Sequence, residues 1–174
     1  MKELKVYLLN SKNELVTTYI ELSKFNIFIG NNLHNIRTII KDSNLDDSVY
    51  GYVDFGSAYC ISAHKDLVYG LVKQYSNKNK TAVIQTDSQF ILYAFNNLIF
   101  NYIVKDKMPA NLRNEMTCKD IMIDPNDIRI YQVENGVVTR IQNKDGLIEH
   151  NCFDSEMNII MNDFYKMIDY YECQ

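Results

Sequence analysis

The sequence predicts an α/β domain in which strands and helices alternate through the middle of the chain. Short apolar runs at 25–29, 49–55 and 82–84 are typical of buried strands, and apolar residues at helical spacing follow the second and third runs. Antiparallel strands at 5–9 and 16–22 are expected to precede this core, and a hairpin with a helix to follow it. Together these features predict one sheet with flanking helices.

The two central helices are predicted from apolar periodicity. Apolar residues recur three and four positions apart over 67–75 and again over 90–102. Asp87 and Ser88 stand before the second helix and are its candidate N-caps. A short helix is also expected at 36–40, before a polar break in the chain.

The last third of the chain is predicted to contain a loop, a hairpin and a helix. Residues 105–119 lack periodicity, which predicts a mobile loop. Apolar and polar residues alternate over 128–133 and 137–141 around Asn135 and Gly136, the strongest short-range hairpin signal. The closing amphipathic helix is predicted from Phe153, Met157, Ile160, Met161, Phe164, Met167, Ile168 and Tyr171.

Composition limits the classes of function. A chain of 174 residues with 47% hydrophobic residues can form one domain with a real core, so residues 1–174 are treated as one domain. The net charge of −4 argues against a nucleic-acid partner, and no apolar run is long enough to predict a membrane span. Four scattered cysteines make no metal-ligand pattern and favour reduced thiols in the cytoplasm.

Three stretches of the chain form a series. Residues 20–32 are an apolar strand that ends in Gly30-Asn31-Asn32, and residues 49–54 are a strand that ends in Asp54. Residues 82–92 are a strand, the turn Thr86-Asp87-Ser88 and the start of a helix. In this order they resemble the nucleotide-binding head of ABC-type ATPases. The likeness is closest to the bacterial AAA/ABC ATPases of the overcoming-lysogenization-defect, recombination and chromosome-maintenance group.

The resemblance implies a P-loop-NTPase-like sheet and a role for each stretch. The first would enter the phosphate-binding loop, Asp54 would organise magnesium, and the third would carry the switch histidine, whose place Asp87 takes. The hairpin at 128–141 is similar to the one that follows this turn in the same proteins. The nucleotide-binding positions that the resemblance implies are Gly30, Asn31, Asn32, Asn35, Arg37, Thr38, Asp54 and Asp87.

The residues that ATP hydrolysis requires are replaced. A phosphate-binding loop needs Lys followed by Ser or Thr, but those two positions hold Ile36 and Arg37. Arg37 and Thr38 come one residue late, which is a rotation of about 100° on a helix. Phe55 stands where the family has the glutamate that activates water, and the carboxylate of Asp87 would repel a γ-phosphate.

The short spacing between the first two motifs indicates that a further part of the ATPase head is missing. Val53 lies only 23 positions after Gly30, where the family inserts an antiparallel arm and a helical part with a Ser-Gly-Gly signature. None of the six glycines is adjacent to another. The resemblance therefore implies a truncated, degenerate ATPase head without hydrolysis or a required cofactor, acting as a binding or protein-interaction module. Its implied partner is a second copy or a full-length homologous ATPase.

An alternative hypothesis is that the protein still binds a nucleotide. Arg37 and Thr38 could do the work of the usual Lys-Ser pair in a distorted loop, with ATP and a magnesium ion held near Asp54. The chain would then be a nucleotide-binding or weakly hydrolysing subunit.

Each candidate residue also has a structural interpretation. Gly30 could be a strand-end turn and Asp54 the cap of the following turn. Asp87 and Ser88 fit helix capping better than catalysis. Cys60 and His64 lie four positions apart on a possible helix, the spacing that a nucleophile and its base would need, but no third residue that could orient them is visible in the sequence. His34 and His64 are otherwise isolated, and each is expected to be a surface residue or a satisfied interior residue.

Overall fold

The computed structural model describes residues 2–30, 50–55, 61–76, 81–148, 151, 154, 157–162 and 167. For residues 2–4, 7, 9, 50–55, 61 and 62 the backbone alone is described. The predicted helix at 36–40 lies outside these residues. No helix among the described residues is long and apolar enough to cross a membrane.

The described elements form a mixed α/β fold, as predicted. The strands are β1 (Lys2–Leu9), β2 (Leu15–Leu22), β3 (Phe25–Gly30), β4 (Tyr50–Phe55), β5 (Thr81–Thr86), β6 (Ile128–Glu134) and β7 (Val137–Arg140). The helices are α1 (Ile61–Ser76), α2 (Gln89–Val104) and α3 (Ala110–Glu115), with a 3-10 turn at Pro125–Asp127. Residues 157–162 are also helical.

The five-stranded sheet has the order β4-β5-β3-β6-β7. Its first four strands are parallel, and β7 pairs antiparallel with β6. The turn between β6 and β7 uses Asn135 and Gly136, both with positive φ, at 50° and 79°. This is the conformation that two-residue hairpin turns require, and it confirms the predicted hairpin. β1 and β2 form a separate antiparallel pair, also as predicted.

Each face of the sheet packs on a different layer. Phe25, Ile27 and Ile29 of β3 face α1 and α2 in the larger core. Phe28 belongs to a second core, built with the β1–β2 hairpin on the opposite face. Tyr131 stacks on Phe28 at 5.4 Å between ring centroids, and its burial raises the pKa of its hydroxyl, which donates to the Glu21 carbonyl.

The prediction of an irregular loop over 105–119 was wrong for its middle, where α3 forms. The guanidinium of Arg113 donates to the carbonyls of Lys105 and Lys119, each at 3.1 Å. Asn101 on α2 is buried and donates to the carbonyls of Cys118 and Ile121 at 2.8 and 2.9 Å. These bonds, from Arg113 within the segment and from Asn101 on α2, satisfy backbone carbonyls of a segment that has no apolar periodicity of its own.

Candidate carboxyl-edge site

The carboxyl ends of β4, β5, β3 and β6 meet at one side of the sheet because these strands are parallel. We call this side the carboxyl edge and define it by the strand ends Phe55, Thr86, Gly30 and Glu134. The chain leaves β3 towards β4 and leaves β5 towards β6, although β3 and β5 are neighbours. The two connections therefore run in opposite directions across the sheet. In open α/β sheets, ligands bind at the carboxyl ends of the strands where the direction of the connections changes.

The strand register brings three of the predicted site positions to this edge. Asp54 pairs with Gln85, which also pairs with Phe28 on its other side. Gly30 and Asp87 each lie two residues beyond this level, towards the carboxyl edge. The other predicted nucleotide positions, Asn31, Asn32, Asn35, Arg37 and Thr38, lie outside the described residues.

Gly30 has a structural reason to be glycine. Its φ is +113°, in the region that side chains rarely adopt. A Cβ at this position would collide with the carbonyl oxygen of Val133, its register partner on β6. The close approach of β3 to β6 therefore excludes every larger residue, whether or not a ligand binds nearby.

The described strand ends of the carboxyl edge carry acidic residues. Asp54 lies near the end of β4, Asp87 is exposed just after β5, and Glu134 ends β6. No residue within two sequence positions of the four strand ends is Lys or Arg. Acidic residues at these positions disfavour phosphate groups.

Ser88 occupies the N-cap position of α2, as predicted, but its side chain makes no capping hydrogen bond. Its Oγ instead lies 3.0 Å from Nδ1 of His64 on α1. Its backbone N–H donates to Oγ1 of Thr86 at 3.0 Å. The expectation that Ser88 caps the helix through its hydroxyl is therefore wrong, because His64 offers a buried partner to the same oxygen.

His64 is an interior residue with a hydrogen-bond partner, one of the two positions expected for it from the sequence. It is only 4% exposed, and Ser88 is 8% exposed, so their hydrogen bond is shielded from solvent. The ring also packs at a tilt against Phe90, with centroids 6.3 Å apart. Nothing in the sequence indicated this pair, because the residues are 24 positions apart, His64 on α1 and Ser88 just before α2.

The His64–Ser88 pair links two elements of the larger core. Nε2 of His64 is buried and has no hydrogen-bond partner among the described residues. The pair ties the first turn of α1 to the turn between β5 and α2. The predicted partner Cys60 lies outside the described residues.

The described residues hold no group of three or more side chains that could bind a metal ion. Cys118 is a buried free thiol. The side chain of Asp54, the candidate magnesium ligand, is among those whose placement is not described.

Replacement of Gly30 by alanine is expected to destabilise the fold by about 2 kcal/mol or more, because it adds both a clash and an unfavourable φ. Gly70 on α1 is the matched control, since nothing lies within 4 Å of a Cβ built there. Gly70→Ala should stabilise the protein by about 0.5–1 kcal/mol. Chemical denaturation of both variants measures the difference. A neutral Gly30→Ala variant would contradict the close approach of β3 to β6.

Replacement of Ser88 by alanine is expected to cost about 1–3 kcal/mol of folding free energy, because it leaves both ring nitrogens of buried His64 unpaired. In a His64→Phe background the same change should cost almost nothing. Urea denaturation of the two single variants and the double variant gives the coupling. An equal cost in both backgrounds would mean that Ser88 acts as a helix cap.

Asp87→Asn, at an exposed position, should change stability by about 1 kcal/mol or less.

Comparison with known proteins adds no relative: no family model, no curated protein and no solved structure matches this chain.

Proposed function

We propose that this protein is a non-hydrolysing ABC/AAA ATPase-like domain that works as a protein-interaction module. The observation that carries the proposal is the charge of the carboxyl edge, where Asp54, Asp87 and Glu134 stand at strand ends without a neighbouring Lys or Arg. A nucleotide triphosphate is a polyanion, and its binding sites supply cations and inward-pointing amides. The edge offers the opposite charge.

The sheet supports the link to an ATPase head. The strand that precedes Asp87 lies between the strand that ends in Gly30 and the strand that contains Asp54. The three stretches that resemble the ATPase motifs are therefore neighbours in space, although 24 and 33 sequence positions separate Gly30 from Asp54 and Asp54 from Asp87. A framework that keeps this arrangement while its charged residues are replaced fits a protein that lost the reaction and kept a binding role.

The framework also has reasons to persist without nucleotide. Gly30 is required by the contact with Val133, and Ser88 is held by His64. Gly30 therefore contributes to folding at a position where the resemblance would place a nucleotide contact, and Ser88 does so next to another such position, Asp87. The motif-like stretches do not need a bound phosphate to explain them.

Calorimetric titration of the full chain with ATP, in the presence and absence of magnesium, tests this proposal. We expect no saturable heat up to about 1 mM nucleotide, which corresponds to binding weaker than about −4 kcal/mol. A parallel assay should detect no release of phosphate. Tight, magnesium-dependent ATP binding with turnover would overturn the proposal.

One observation favours the alternative of a nucleotide-binding subunit. Gly30, Asp54 and Asp87 lie at the carboxyl ends of three neighbouring strands, where the connections after β3 and β5 run in opposite directions across the sheet, the usual ligand position in open α/β sheets. A magnesium ion could offset part of the negative charge there. Nucleotide binding would then depend on Arg37, the first cation after Gly30 in the sequence.

If nucleotide binds through Arg37, Arg37→Ala should weaken the affinity by about tenfold or more, because a charge-assisted contact to phosphate is lost. The control is Arg140→Ala, which removes the same charge from an exposed position on β7. Calorimetry compares the two variants with the unmodified chain. Equal affinity in all three proteins would eliminate the alternative.

A further inference from the structure

The outward face of α2 is apolar along its length. None of the 16 residues of α2 is charged, and its inward face fills the larger core. Phe90, Tyr93 and Phe100 face outwards and are 41%, 46% and 51% exposed. Their spacing of three and seven positions puts them on one side of the helix, in a stripe about 15 Å long. We call these three residues the α2 stripe.

A second apolar surface lies near the end of the described chain, on the helical residues 157–162 and at Met167. Met157 and Ile160 are 42% and 61% exposed and lie one turn apart on the same side of this helix, and Met167 is 63% exposed. We call residues 154, 157–162 and 167 the tail. The exposed side chains of the tail are of the kind that fill a core, yet the described residues leave them in solvent.

Hydrogen bonds hold the start of the tail beside the α2 stripe. The side chain of Asn96 accepts from the backbone N–H of Ile148 at 2.9 Å and donates to its carbonyl at 3.4 Å. Further along, the hydroxyl of Tyr93, within the stripe itself, donates to Oδ1 of Asp154 at 3.1 Å. The first residue of the tail is thus held against the α2 stripe.

We propose that a second copy of this chain docks on this side, with the tail of each copy lying on the α2 stripe of the other. This inference rests on the proposed interaction module and names its partner. Because the same two surfaces are present on both copies, the contact can close around a two-fold axis and bury both.

The area is sufficient for a stable pair. Six apolar side chains, each about half exposed, offer roughly 600 Å² per copy, or about 1,200 Å² for two copies. This total reaches the lower end of the range for specific protein complexes. A patch of this size is also near the upper limit of what a monomeric protein normally exposes.

Charge favours a contact between tail and stripe over a contact between two tails. From Asp154 to Met167 the sequence contains three acidic residues, Asp154, Glu156 and Asp163, against the single cation Lys166. A contact between two segments of the same net charge is weakened by repulsion. α2 carries no charge, so it does not add to that repulsion.

Sedimentation equilibrium of the full chain tests the proposal, and we expect a dimer at about 10–100 μM. Phe100→Asp in the stripe and Ile160→Asp in the tail should each weaken dimerisation by about tenfold or more, because a charge would be buried at the contact. Tyr19→Asp is the matched control, since Tyr19 on β2 is 64% exposed but lies outside both surfaces. It should leave the dimer unchanged.

A mixture of the two defective variants identifies the contact. A Phe100→Asp copy keeps an intact tail, and an Ile160→Asp copy keeps an intact stripe, so the mixture should form heterodimers that neither variant forms alone. Circular dichroism checks that both variants fold. A monomeric unmodified chain, an unweakened dimer in either variant, or a mixture without heterodimers would overturn the proposal.

The two proposals fail in different experiments. A chain that is monomeric yet does not bind ATP would overturn the docking of a second copy and leave the interaction module standing. A chain that dimerises through the α2 stripe and also turns over ATP would overturn the interaction module alone.

Discussion

The enclosure of β3 is the constraint on which the rest of the structure depends. Residues 25–29 are all buried, with β5 and β6 paired on either side and a core on each face. The buried polar residue Asn26 also has hydrogen-bond partners. Its side-chain oxygen accepts from the backbone N–H of Ser23, and its side-chain nitrogen donates to the carbonyls of Ser23 and Ala82. A strand enclosed in this way leaves its neighbours little freedom of register, since a one-residue slip would exchange the two cores. The positions of the carboxyl edge follow from that register.

The elements that could be predicted are those whose evidence is local. β3 and β5 are short runs of buried residues. α2 has a long apolar face that packs into the core, and the hairpin has the Asn135-Gly136 turn. The helix α3 could not be predicted in this way. Arg113 within α3 bonds to the carbonyls of Lys105 before the helix and Lys119 after it, and such side-chain bonds leave no periodic signal in the sequence.

The candidate site divides along the same line. That Gly30, Asp54 and Asp87 would reach one edge follows from parallel strands, whose carboxyl ends necessarily lie together. The role of Ser88 did not follow, because a serine before a helix has two uses for its hydroxyl. Capping needs only the local backbone and can be predicted, whereas the bond to His64 exists only because α1 and α2 pack side by side.

The two sides of α2 connect these findings. Its first turn lies at the carboxyl edge, where Ser88 contacts His64 and Phe90 packs against the same imidazole ring. Phe90 is also the first residue of the α2 stripe, so a partner seated there would touch the ring that packs on His64. A partner on the outside of α2 would therefore contact the Phe90 ring beside the turn between β5 and α2. The conformation of that turn would then depend on whether the partner is bound.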